Sequence, residues 1–294
     1  MIIVRLTGGL GNQLFQYAFG RRQAHVGGAE LKLDISYYAA NYMDGRQYRL
    51  NNFNVVEDIA SVVETASLAG RQHHSLIGRL ERALRSRLHM HKKSIVREHG
   101  CVFSPMALKK TDNVYLDGYW QSEKYFKDIE DILRSEFTVR NPQDQINRSI
   151  SADIDQTESV SLHIRRGDYV SNAAFNKVHG VCAPDYYESA IERLMDEVKA
   201  PRFFVFSDDI EWCRDNLKLK YPITFIDHNG EDRDYEDLRL MSRCKHHIIA
   251  NSSFSWWGAW LSSNSGKIVI APAKWFNDPH KDSKDIVPDS WQRI

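Results

Sequence analysis

The chain has 294 residues, 42% hydrophobic and 27% charged, an ordinary globular composition long enough for one large or two medium cores. Lysine plus arginine balances aspartate plus glutamate at 39 each, which removes the bulk electrostatic case for nucleic acid as a partner. The four cysteines (Cys101, Cys182, Cys213, Cys244) lie at least 31 residues apart and form no CxxC pair, which argues against a zinc knuckle or dithiol motif and suits a reducing compartment.

In chain order, Met1 leads straight into a strand at Ile2–Leu6, with no charged region followed by a long apolar stretch. No run approaches the roughly 18 apolar residues of a spanning helix, so a soluble, cytoplasmic protein is expected. Thr7–Gln13 reads as a glycine-rich loop and Leu14–Ala24 as a helix. Leu31–Ile35 alternates and reads as a second strand. Val114–Leu116 is a short strand, and Ser122 opens a capped helix through Glu136. Asn141-Pro142 breaks the pattern, and the polar stretch to Glu158 reads as a linker. Strands then alternate with helices: strands at 160–164, 203–206, 223–226, 247–250 and 268–270, and helices at 185–198, 210–217, 235–243 and 254–261. That rhythm means βαβ units and a parallel sheet. The fold class expected is α/β, two Rossmann-like doubly wound domains, with residues 1–150 as the first and 151–294 as the second.

Chemistry concentrates where strands end. His163-Ile164-Arg165-Arg166-Gly167-Asp168 follows the apolar run Val160–Leu162, and ligands of open α/β sheets bind beyond the carboxyl ends of strands. Arginine offers a planar fork of donors matching phosphate oxygens two at a time. Gly8-Gly9-Leu10-Gly11-Asn12-Gln13 lacks the Lys-Ser/Thr of a P-loop and meets GxGxxG only at Gly9 and Gly11. It allows close backbone approach and a helix N-terminus for anionic oxygens, or is simply a tight turn. In Ser207-Asp208-Asp209, adjacent carboxylates in a turn point apart. One is expected to cap the helix at Ile210, leaving the other to accept from a ligand N–H edge such as guanine. Asn251-Ser252-Ser253-Phe254 enters a helix and can cap it or hold a phosphate. Trp256 and Trp260 read as core, and Gly258 with Ala259 as a close approach of that helix to the sheet.

These segments resemble the inverting fucosyltransferases, specifically the α-1,2-fucosyltransferases of glycosyltransferase family 11. The matching stretches are GGLGNQLFQYA (Gly8–Ala18), HIRRGDYV (His163–Val170), FSDD (Phe206–Asp209) and DLRLMSRCKHHIIANSSFSWWGAWL (Asp237–Leu261). The resemblance implies a GT-B architecture, two domains facing across a cleft, with an acceptor-side N-terminal domain and GDP-fucose bound mainly by the C-terminal one. It implies that Arg165 contacts the diphosphate with Arg166 assisting or ordering the loop. His163 and Asp208 or Asp209 would meet guanine and ribose, and Ser252 and Ser253 phosphate. The loop Gly9, Gly11, Asn12, Gln13 would close over pyrophosphate and fucose. The donor-binding set is completed by Ser207, Asn251 and Phe254. It also implies metal-independent transfer with no cofactor. Asp168 is the best-placed base in the motif, or else fixes Arg165. The reaction implied is transfer of L-fucose from GDP-β-L-fucose to the 2-hydroxyl of a galactoside during surface-glycan or O-antigen synthesis. The competing readings are a fucosyltransferase of α-1,6 or protein-linked specificity, and a non-catalytic nucleotide- or glycan-binding module.

Two charged segments stand apart. Arg71–His99 holds eight Lys/Arg against two Glu, with Ile77, Leu80, Leu84 and Leu88 at helical spacing among Arg79, Arg82, Arg85 and Arg87. This fits a basic amphipathic helix on an anionic membrane, where a lipid-linked oligosaccharide acceptor would be met, or a helix docked on the N-terminal domain with a solvated face. Asp227–Asp237 carries six acids and one arginine and reads as a solvated loop and helix cap.

Overall fold

Each half of the chain alternates strand and helix until an all-parallel sheet results. The computed structural model describes residues 1–39, 45–69 and 94–294, and the chain divides into two units, Met1–Phe137 and Thr138–Ile294. The division falls ahead of the polar stretch read as a linker. That stretch instead contains a helix, Gln145–Gln156, capped by Asp144, whose carboxylate accepts from the Asn147 N–H at 2.8 Å. Its buried stripe of Asn147, Ser151 and Ile154 is mostly polar, which hid it from a hydrophobic-periodicity reading.

In the first unit, strands β1 (Ile2–Arg5), β2 (Leu31–Asp34), β3 (Ile95–Arg97) and β4 (Val114–Asp117) pair in the order β2-β1-β4-β3. Ile2, Ile3 and Val4 have no exposed surface, as expected of a parallel strand covered on both faces. The helix that follows begins at Leu10, not Leu14, and runs to Gly27. The glycine loop is therefore only Thr7–Gly9, and Gly11, Asn12 and Gln13 belong to the first helical turn. Three buried glutamines on this helix fasten loops to it. The Gln13 amide donates to Gly8 O and Gln47 O, Gln16 donates to Thr7 Oγ1 and Gly118 O, and Gln23 donates to the carbonyls of Ala107 and Lys110. The Ser122 helix begins as two short 3₁₀ turns and becomes α-helical only over Glu130–Glu136. Of the basic segment, 71–93 lies outside the described residues, and 94–99 supplies β3. Among the described residues no helix is long and apolar enough to cross a membrane.

In the second unit, β5 (Glu158–Ile164), β6 (Pro201–Ser207), β7 (Ile223–Ile226), β8 (His246–Ile248), β9 (Val269–Ala271) and β10 (Gln292–Arg293) form a six-stranded parallel sheet in the order β10-β9-β8-β5-β6-β7. Counted by appearance this is the 3-2-1-4-5-6 order of dinucleotide-binding folds, with its switch point between β5 and β8. Strand β6 shows why the sheet is stable. Phe203 and Val205 enter the core with Leu162 and Leu194, while Phe204 and Phe206 enter a second core with Ile154 and Leu240. Each such side chain contributes about 2–3 kcal/mol on burial.

The helix Ser253–Leu261 completes the unit. Trp256, Trp257 and Trp260 are core, and Trp256 Nε1 donates to Ile286 O at 2.8 Å. A Cβ on Gly258 would lie 2.8 Å from Met241 Cβ, so the close approach is to the helix Asp234–Arg243 rather than to the sheet. The Lys267 ammonium donates to Ala259 O and Ser262 O at 2.8 Å, satisfying carbonyls that end this helix without a glycine. The acidic run 227–237 is only partly solvated. Glu236 is buried, and burial raises the Asp237 carboxyl to about 7 while Asn229 donates to it.

Candidate functional site

The β5–β6 register sets Ile164 opposite Ser207, so the two strands end level and residues 165–167 emerge beside 207–209. Asp208 then meets the neighbouring loop with both oxygens. Its Oδ1 accepts from the Arg166 N–H at 2.8 Å, and its Oδ2 pairs with Arg165 Nη1 at 3.0 Å. Gly167 makes this contact possible, because a Cβ there would stand 2.4 Å from Asp208 Oδ2.

Asp209 also acts twice. Its Oδ1 accepts from Trp212 N–H and caps the helix Ile210–Asn216, as expected, and its Oδ2 accepts from Arg166 Nε at 3.1 Å. The Arg166 guanidinium lies over the Trp212 ring, 3.8 Å from its centroid, a cation–π seat that fixes this side chain as a loop-ordering element. Ser207 Oγ accepts from the Asp209 N–H at 3.0 Å and shapes the turn. Both carboxylates hold arginines, so a ligand N–H edge would have to share a carboxylate already engaged by one of them.

Arg165 retains a fifth of its side-chain exposure. Its Cζ is 5.3 Å from the Tyr169 ring centroid, and Tyr169 stacks on His179 at 5.0 Å and 12°. Sequence reasoning named neither Tyr169 nor Trp212 as functional. Their signal was an aromatic within one helical turn of a paired arginine or its acid. The Asp168 backbone lies in the helix Gly167–Ser171, and its side chain is outside the described set.

His163, the penultimate residue of β5, is buried with its ring 5.9 Å from that of Phe254. Strand β8 pairs with β5 on the flank away from β6, so His163 and Phe254 lie along the switch point where ligands of this sheet order enter. Burial first, and the Arg165 charge second, lower the imidazole to about 3. The ring is thus neutral at working pH and unsuited to be the general base. Its Nδ1 is buried without a hydrogen-bond partner, an orphan that a polar ligand atom would satisfy.

On the far side of the switch point, Ser252 caps the helix Ser253–Leu261 by accepting from the Phe254 N–H at 3.3 Å, and Ser253 sits half-buried in its first turn. Asn251 has a different role from the expected donor contact. Its amide donates to the carbonyls of His179, Gly180 and Trp275, and its oxygen accepts from Cys182 Sγ. It ties three loops together beneath the site.

Gly9, Gly11, Asn12 and Gln13 belong to the first unit. Gly8 has φ 75°, and a Cβ there would meet Asn12 Nδ2 at 2.8 Å, so glycine is required. Gly9 caps the helix, and Gly11 is buried in its first turn. Asn12 accepts from Gln121 Nε2 at 2.8 Å. Gln13 has no exposed surface, and its Oε1 accepts from the Arg49 N–H at 2.9 Å. Its side chain is spent on holding 47–49 against the loop, which removes it as a direct ligand contact. Among the described residues no group of three His, Cys, Asp or Glu side chains gathers as a metal site.

The whole chain, residues 1–294, matches the family described as glycosyl transferase family 11. It is 38% identical to an α-1,2-colitosyltransferase of Escherichia coli, over 100% of this chain and 99% of that protein. It is 33% identical to the O-antigen biosynthesis glycosyltransferase WbnK of Escherichia coli, over 97% and 98% respectively. Among solved structures, a mutant of Arabidopsis thaliana FUT1 in complex with GDP covers 98% of this chain and 72% of its own at TM-score 0.50 and 12% identity, a likeness of fold that agrees with the two parallel-sheet units of a GT-B-like protein. With its arginine-bearing strand end at the switch point and a family match along its entire length, the chain belongs to glycosyltransferase family 11.

Proposed function

We propose that this glycosyltransferase moves L-fucose from GDP-β-L-fucose to the 2-hydroxyl of a galactoside, with inversion to an α-1,2 linkage. The observation that carries the reading is the pair of arginines at the end of β5, each held by its own aspartate after β6, in a chain of this family. In a single displacement the acceptor oxygen attacks the anomeric carbon as the bond from that carbon to the diphosphate oxygen breaks. The hydroxyl proton passes to a base, and negative charge grows on the departing phosphate. Arg165, pre-oriented by Asp208, strengthens its contact as that charge grows, and the N-terminus of the helix Ser253–Leu261 adds the positive end of its dipole. This charge stabilisation replaces a divalent cation, so transfer is metal-independent. Neutral His163 supplies a hydrogen bond rather than a proton, and Asp168 is the candidate base.

A second donor is favoured by a specific observation, the full-length 38% identity to an α-1,2-colitosyltransferase. Colitose is fucose without its 3-hydroxyl. A site built to hydrogen-bond that hydroxyl rejects the deoxy sugar strongly, whereas a site with no partner for it discriminates little. Acceptor-dependent GDP release, measured with GDP-fucose and GDP-colitose against a panel of galactosides, tests the reading. Faster turnover with GDP-fucose is expected. A large preference for GDP-colitose would replace the donor, and no acceptor-dependent release from either would refute the function.

A further inference from the structure

The first unit has a switch point of its own. In the order β2-β1-β4-β3 it falls between β1 and β4, where the loop Thr7–Gly9 meets the loop Gly118–Gln121. The two loops are joined by Gln16, which donates to Thr7 Oγ1 and Gly118 O, and by Gln121, which donates to Asn12 Oδ1. On this rim stands Tyr119, 48% exposed; every other large hydrophobic side chain left exposed among the described residues is aliphatic or methionine.

The loop is built to hold that ring outward. The Glu98 carboxylate accepts from the Tyr119 N–H at 2.6 Å and from the Trp120 N–H at 3.0 Å. Gly118 has no room for a side chain, since a Cβ would fall 2.4 Å from Glu98 Cβ. Trp120 takes φ 57°, a left-handed conformation unfavourable for a bulky residue, and its buried ring packs 4.4 Å from that of Phe19 and 5.4 Å from that of Tyr125. Backbone strain of this kind persists where the surroundings over-determine it, and it gathers at ligand sites.

We propose that Tyr119 is an acceptor-binding, specificity-determining residue on which an uncharged pyranose stacks. The inference rests on the glycosyltransferase reading above. The phosphate-matching groups belong to the second unit's switch point, whereas this one offers an aromatic face on the loop that also carries the half-buried amide of Gln121, itself bonded to the half-buried amide of Asn12. That combination recognises a sugar, whose C–H face packs on the ring while its hydroxyls bond to the amides. The occupant is the terminal galactoside of the acceptor.

The test uses Tyr119→Ala, Tyr119→Leu and Tyr119→Phe in the full chain, with lactose as the probe. Tyr119→Ala and Tyr119→Leu should raise the KM for lactose about tenfold, the weight of one aromatic stack, with the KM for GDP-fucose and the melting temperature unchanged. Tyr119→Phe should behave as wild type. Saturation-transfer NMR reads lactose binding without turnover, which separates this inference from the assigned reaction. Loss of the signal in Tyr119→Ala and Tyr119→Leu supports the proposal whichever linkage is formed. Equal or absent signals in wild type and Tyr119→Ala, or a rise in the GDP-fucose KM alone, would overturn it.

Discussion

Adding one methyl group at Gly167 puts the site geometry under direct test. Gly167 opens a short helix and its φ is not in the left-handed region, so helix propensity alone predicts that Gly167→Ala stabilises by about 0.5–1 kcal/mol. Packing predicts the reverse. The new Cβ would stand 2.4 Å from Asp208 Oδ2 and 2.9 Å from Asp208 Cγ, where ordinary contact begins near 3.4 Å. The carboxylate must therefore retreat by about 1 Å. It has little freedom to do so, because its oxygens hold Arg165 at 3.0 Å and the Arg166 N–H at 2.8 Å. Discounted for partial exposure of the pair, losing these charge-assisted bonds costs about 1–2 kcal/mol, giving a net loss of about 1 kcal/mol. Turnover should fall about 10–100-fold as Arg165 drifts from its place. In an Asp208→Ala background the nearest remaining atom is the Cβ of residue 208 at 3.5 Å, an ordinary contact, and Gly167→Ala should become stabilising. Urea unfolding of the four proteins closes the double-mutant cycle. Stabilisation by Gly167→Ala alone, or a coupling near zero, would refute the argument.

The other expectations are simpler. Arg165→Ala should lower turnover roughly 10²–10³-fold and Arg165→Lys should not restore it, because the fork is lost; steady-state assays of folded variants check this, and near-normal turnover would exclude Arg165. Activity should survive EDTA with modest loss, and complete inactivation reversed by magnesium or manganese would mean the charge stabilisation lies elsewhere. His163 is held near 3 in the folded chain against an ordinary value of 6.5, so only the unfolded state binds its proton between those values. Relative to His163→Gln, wild-type stability should fall as pH drops below 6.5, by up to about 1.4 kcal/mol per pH unit until about pH 3. Parallel denaturation curves for the two proteins across that window would contradict the assignment.

The parallel strands were legible because covered strands are rich in apolar residues, without interruption in Phe203–Phe206 and alternating with the buried Ser161 and His163 in Val160–Ile164. The missed elements lacked that mark. Strand β3 is three residues in a basic stretch, and the helix Gln145–Gln156 buries asparagine and serine. At the site, the motif residues were visible but their partners were not. Asp208 pairs with Arg165 only because the β5–β6 register aligns strands about forty residues apart, a tertiary fact that spacing does not encode. Gln13 and Asn251 looked like ligand contacts since amides suit both roles, and burial decided for loop fastening. Tyr119 carried no sequence signal, because its exposure follows from the clamp on its neighbours.

The most direct measurement of the central claim is the NMR structure of the product formed from GDP-fucose and lactose. The account predicts one new fucosyl residue with an α anomeric signal and a through-bond correlation to the galactose 2-position, formed alongside an equal amount of GDP. A β anomer, attachment at another hydroxyl, or GDP released without glycosidic product would contradict it.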